Sequence, residues 1–113
     1  MTLDEYFSTG PARERPVFDR VMEHLGDVGP VHVEPVSVGI FLKRSGTFAE
    51  LRPMKNWVAL SFSLPRPVKH KSIRRKVIHY GGGYFHVANV VGPEDLDRDL
   101  LGLLTEAYLN SPE

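Results

Sequence analysis

The sequence contains no cysteine. That excludes disulfides, cysteine-ligated zinc, thiol nucleophiles and thiol redox chemistry together, and it fits a cytoplasmic protein. No apolar run approaches the ~20 residues that cross a membrane, so no membrane partner is expected. The opening residues, MTLDEYF, carry acids where a signal peptide has a basic region and an apolar core, and no leader is expected. The common enzyme fingerprints are missing as well: no G-x-x-x-x-G-K-[ST], no G-x-G-x-x-G, no H-E-x-x-H and no G-x-S-x-G. Positive charge is scarce outside one stretch. Residues 43–80 hold ten Lys/Arg and one acid, Glu50; the residues before them hold three Arg and seven acids, and those after hold one Arg and six acids. The net charge of zero therefore hides regional charges of +9, −4 and −5, and the pattern is what carries information.

What is present reads as one globular domain over residues 1–113, with residues 1–10 as an N-terminal extension. Thr2-Leu3-Asp4-Glu5 has the form of a capping box and starts a short helical turn. Val17, Phe18, Val21, Met22, Leu25 and Val28 recur at helical spacing and predict an amphipathic helix, entered at Pro11 or Pro16 and ended by Gly26 or Gly29. A second helix is expected to open at Gly92-Pro93-Glu94-Asp95, with Leu96, Leu100, Leu103, Leu104, Ala107 and Tyr108 as its apolar stripe.

About six strands in hairpins lie between them. Val58, Leu60, Phe62 and Leu64 alternate with Trp57, Ala59, Ser61 and Ser63, so the first set must face a core and the second leaves a shallow floor. Residues 47–52 pair with this strand through a turn at Met54, Lys55 and Asn56. Residues 31–36 and 38–43 form a preceding pair. Gly81-Gly82-Gly83 joins strands at residues 76–80 and 84–91. Residues 68–75 have no clear period and form a basic loop. The fold class predicted is α+β: a two-layer sandwich with an antiparallel sheet of five to six strands and both helices on one face.

Strand parity puts Phe41, Lys43, Trp57, Ser61, Tyr84 and His86 on the face away from the helices, and Phe85 and Val87 on the helix face. Lys55 and Arg66 end neighbouring strands. Aromatics around small residues, rimmed by cations, describe a site for a flat or anionic small ligand. In this reading Trp57 and Tyr84 stack, Lys55 and Arg66 neutralise, and Ser61 and His86 orient. Six cations between Arg66 and Lys76 also invite phosphate contacts and a nucleic-acid partner. The acidic flanks could instead pair with this basic run, within one chain or across a homodimer. Glu50-Leu51-Arg52 is similar to the acid-x-Lys pattern of restriction-type nucleases, with Arg replacing Lys and no upstream Asp partner. The alternatives to a binding module are therefore a metal-dependent, nuclease-like hydrolase and a homodimerisation domain. No acid stands at ligand spacing from His24, His32, His70, His79 or His86, so no metal site and no cofactor are expected.

At TFAELRPMKNWVALSFSL, at the histidine-bearing strand after the glycine turn, and at GPEDLDRDLLGLLTEAY, the chain resembles a small bacterial domain family of unknown function. Its members share a TFA-x-x-x-P-x-K-x-W strand hairpin and a D-L-D…A-Y C-terminal helix. The matching positions are Lys55, Trp57, His86, Asp95 and Asp97. The resemblance implies an α+β sandwich related to small bacterial domains proposed as iron chaperones. It also implies an accessory binding role, because some relatives are appended to nuclease-like domains. It implies no catalytic set.

Overall fold

The structure is a computed structural model that describes residues 1–111. Three α-helices frame a six-stranded antiparallel sheet of order β1-β2-β3-β4-β6-β5. The helices are α1 (Leu3–Thr9), α2 (Glu14–Gly26) and α3 (Arg98–Asn110). The strands are β1 (His32–Val36), β2 (Gly39–Lys43), β3 (Thr47–Pro53), β4 (Val58–Leu64), β5 (Ile78–Tyr80) and β6 (Gly83–Val90). Every strand pair is antiparallel, as short connections demand.

Helices α1 and α3 begin where a side chain caps their orphan N–H groups, whereas α2 has no side-chain cap. Thr2 caps α1 in a full capping box: its hydroxyl accepts from the Glu5 N–H, and the Glu5 carboxylate accepts from the Thr2 N–H, both at 3.1 Å. The first ten residues are thus tied down, and Tyr6 enters the core. Pro16 sits in the first turn of α2, where a missing N–H is harmless. The last helix starts later than the sequence suggests. Pro93–Asp95 is a single 3-10 turn, and Asp97 caps α3 by accepting from the Leu100 N–H at 2.8 Å. The reason is local: the Asp95 carboxylate turns back to accept from the Val91 N–H at 2.8 Å and closes the turn instead of extending it.

The alternation along β4 fixes the architecture. Val58, Leu60, Phe62 and Leu64 are all buried in the helix-covered core with Leu51, Ala88, Val90, Leu100 and Leu104. Helix α3 lies over β3 and β4, and α2 packs against α3. At the far hairpin, Tyr80 pairs with Gly83, leaving a two-residue loop of Gly81 and Gly82 with φ of +60° and +81°. A side chain at either position would be strained, whereas glycine closes the turn freely.

One polar pair is enclosed with the core. Glu14 is fully buried, and one carboxylate oxygen accepts from the Tyr6 hydroxyl at 3.0 Å. Its other oxygen has no partner among the described residues. Burial raises the Glu14 pKa, and burial together with Glu14 raises that of Tyr6.

Because Leu60 is sealed on the central strand, Leu60→Ala should cost about 2–5 kcal/mol. Ser63→Ala, exposed on the same strand, should change stability by less than about 0.5 kcal/mol. Urea unfolding followed by far-UV circular dichroism measures both, and a similar cost for the two would contradict the layering.

Candidate functional site

Antiparallel partners point to the same face, so the register decides which side chains meet on the uncovered side of the sheet. One row runs Glu34, Phe41, Glu50, Ser61 and Val87 across β1, β2, β3, β4 and β6. The row beside it carries Ser63, Phe85 and Ile78. The row on the other side holds Arg52, Ala59 and Asn89. Alanine and serine at the centre make a low floor. Larger side chains stand on both flanks.

The result is a groove. Phe41, Tyr80 and Phe85 wall a hollow of about 300 Å³ whose floor includes Ser61, Ser63 and Glu50. Glu50, Ser61 and Phe85 also border a second hollow of about 150 Å³, which ends at Met54, Arg52 and Arg75. Tyr80 is 80% exposed and Phe85 37%, so the aromatic walls are open to solvent. Glu50 makes no hydrogen bond or ion pair with any described residue. Lys43, on the same face, is already engaged by Glu34 at 3.0 Å.

Of the six ligand-binding residues expected from sequence, only Ser61 lines this groove. Trp57 precedes β4 and keeps the uncovered-face parity. It lies beyond the groove's end, half-buried in a separate cleft with Lys71, Arg74 and Asn89. Lys55 is exposed on the β3–β4 turn. Arg66 makes a two-pronged contact with Glu106 on α3, at 2.7 and 3.2 Å, and Glu106 raises its pKa.

Tyr84 and His86 lie on the opposite face from the one expected. Their cross-strand partners are Leu64 and Phe62, both core residues. His86 is fully buried with its ring stacked on Phe62 at 5.4 Å, and Tyr84 stacks on His79 at 4.5 Å. Phe85 and Val87 take the uncovered face instead. Strand β6 has apolar residues on both sides, so its periodicity alone does not choose. Inward-facing Ala88 and Val90 settle the register. The groove residues missed from sequence are Tyr80, Phe85, Arg52 and Arg75. For the strand residues the signal lay in the cross-strand rows, which a single strand's parity does not reveal, and Arg75 reaches the groove from the loop before β5.

His86 holds a structural position. Its Nε2 accepts the Val68 N–H at 3.0 Å. A backbone N–H can be accepted only by a bare ring nitrogen, so the proton sits on Nδ1. Burial lowers its pKa, with the backbones of Tyr84 and Phe62 pulling less strongly the other way. His70 pins the same loop. Its Nδ1 accepts the Ser72 N–H at 3.0 Å, leaving Nε2 to donate to Asp97 at 3.0 Å. The Asp97 carboxyl is held below the usual range, first by the Leu100 N–H and then by His70. The Ser72 carbonyl accepts from the Asn89 N–H at 2.8 Å, so the loop continues the sheet past short β5. No group of three His, Asp or Glu side chains stands together at metal-binding distance among the described residues.

Fold and site together define a small α+β domain with one helix-covered sheet face and one grooved, uncovered face. A profile of a family described only as a domain of unknown function (DUF5655) matches residues 3–111, and the chain belongs to that family. No curated protein and no solved structure matches it.

The neutral His86 sets a pH dependence. Its folded pKa is below the unfolded value of 6.5, so its contribution is complete above that pH. The contribution falls as the pH drops below about 6.5, because the unfolded chain then binds a proton that the folded one refuses. His86→Gln keeps an acceptor for Val68 but cannot titrate. Urea midpoints at neutral and mildly acidic pH should show a steeper acid loss in the native protein than in His86→Gln. Parallel losses would contradict this role, and any contribution from Glu14 cancels in the comparison.

Proposed function

We propose that this domain is a binding module whose uncovered sheet face takes a flat ligand bearing an anionic group. The observation that carries the reading is the division of the groove. Aromatic side chains wall one end, Arg52 and Arg75 stand at the other, and unpartnered Glu50 and Ser61 lie between. An aromatic ring would stack against Phe85 and Tyr80. Ser61 and Glu50 would accept hydrogen bonds from ring N–H groups, and the arginines would face the anion. Together the two hollows fit the size usual for small-ligand sites. The anion-binding role first assigned to Lys55 and Arg66 passes in this reading to Arg52 and Arg75, because Arg66 is occupied by Glu106.

Isothermal titration with adenosine monophosphate, adenosine and benzoate as probes tests this. A ligand with both a ring and an anion should bind more tightly than adenosine. Phe85→Ala should weaken binding by about tenfold, the scale of one lost stacking contact. Arg75→Ala should erase the advantage of the anionic probe. Absence of binding by every probe, or binding indifferent to Phe85→Ala, would overturn the reading.

A further inference from the structure

A second site stands apart from the sheet-face groove. The basic run looks in sequence like a solvated loop, and such runs usually mean little. Here it is not loose. Residues 68–73 are tied to the sheet and to α3 by three hydrogen bonds already described, Val68 to His86, His70 to Asp97 and Asn89 to Ser72, and a fourth, Ser72 to His70, braces the loop internally. A further bond from the Ile73 N–H to the His70 carbonyl closes a turn at 2.9 Å. The backbone that carries Lys69 and Lys71 and leads into Arg74 is thus anchored.

The cations themselves are unspent. Lys55, Lys69, Lys71, Arg74 and Lys76 are all exposed, and none forms an ion pair with a described residue. Beside them the loop and the end of β6 enclose a cleft of about 710 Å³ lined by Trp57, Lys71, Ser72, Arg74, Asn89 and Asp95. Trp57 is half-buried there, fixed by the β3–β4 turn through the Met54 N–H to Trp57 carbonyl bond at 2.8 Å. The one acid in the cleft, Asp95, has an oxygen committed to the Val91 N–H. The side-chain amide of Asn89 has no hydrogen-bond partner among the described residues.

We infer that the Trp57 cleft and the anchored basic loop bind a single-stranded nucleic acid, one base lying against Trp57 and the backbone phosphates following Lys71 and Arg74. Each part matches a need of that ligand. A half-buried aromatic offers a stacking surface to any base, whereas a duplex keeps its bases stacked on one another. Cations without partners exchange their counterions for phosphates. The Asn89 amide offers both a donor and an acceptor to a base edge. Asp95 in the cleft and Asp97 and Asp99 beside Lys71 limit the track to a few nucleotides.

Trp57 is the only tryptophan, so its emission reports on this cleft alone. The test titrates the whole protein with a fluorescein-labelled oligothymidylate of about ten nucleotides, the length one such surface covers. Anisotropy and Trp57 quenching are followed together. Both should saturate at the same concentration. The double variant Lys71→Glu/Arg74→Glu should bind at least about tenfold more weakly and lower the log–log salt slope by roughly 0.7 per lost phosphate contact. Trp57→Ala should weaken binding about tenfold, and Trp57→Phe, which keeps the ring and the packing, should fall between. Phe85→Ala should leave strand binding unchanged, which separates this site from the groove whether or not the groove binds its own ligand. The inference is overturned if Trp57 emission does not respond, if the charge reversal leaves affinity intact, or if Phe85→Ala abolishes binding. Equal affinity and equal quenching with inorganic polyphosphate or with duplex DNA would overturn it too.

Discussion

The alternation of large and small side chains along β4 is the constraint from which the rest follows. Its inward positions are branched or aromatic and fully enclosed. Its outward positions are Ala59, Ser61 and Ser63, too small to fill the space above the sheet. Burying the first set beneath α2 and α3 contributes ~1.5–3 kcal/mol per large side chain before the entropy of ordering the chain is counted. That gain holds the register of β3 and β6 against β4, because a slip of one residue would turn every inward side chain to solvent. The same register leaves a low floor on the other face. The groove is therefore a by-product of how the core is made, and it needs no separate device to stay open.

The loop after β4 shows a second way of fixing shape. Strand β5 is only three residues long, so most of one edge of β6 would be left without partners. The Ser72 carbonyl supplies one by accepting the Asn89 N–H, and two imidazoles hold the loop in place. His86 accepts through Nε2 and His70 accepts through Nδ1. Each ring nitrogen that accepts a backbone N–H fixes where the remaining proton sits. For His70 that proton is aimed at Asp97, so the cap of α3 and the edge of the sheet share one carboxylate. Protonating His86 at Nε2 would break its bond to the Val68 N–H, so this anchor of the basic loop depends on that imidazole staying uncharged.

Most of the fold was legible in the sequence because it is written in strong periodic signals. The helix-spaced residues of α2, the alternation of β4, the capping box at Thr2 and the glycine turn each have one plausible geometry, and each forms as expected. The site was less legible for a definite reason. A groove on a sheet is made by neighbours across strands, and sequence spacing speaks only of neighbours along one strand. Phe41, Glu50 and Ser61 form a row only once the register of two hairpins is known. Strand β6 added ambiguity. Tyr84, His86 and Ala88 look more polar than Phe85 and Val87, yet they face inward. One ring nitrogen of His86 accepts the Val68 N–H, which offsets part of the penalty that periodicity assumes for a buried histidine, while its Nδ1 has no partner among the described residues.

Charge segregation explains why the two faces of the domain differ in more than shape. A basic segment between acidic ones has two outcomes: it can neutralise itself against its flanks, or it can remain a field. Here neutralisation is partial. Arg66 is taken by Glu106 and Lys43 by Glu34, both near the sheet's perimeter. The pair at Arg66 is solvent-exposed and contributes little to stability, so its main effect is to place that charge beside α3. The cations from Lys69 to Lys76 form no close ion pair with a described residue, although Asp97 and Asp99 line a hollow with Lys69 and Lys71, and Asp95 lies in the cleft with Lys71 and Arg74. Five cations against three carboxylates leave a local positive excess on a chain with no net charge.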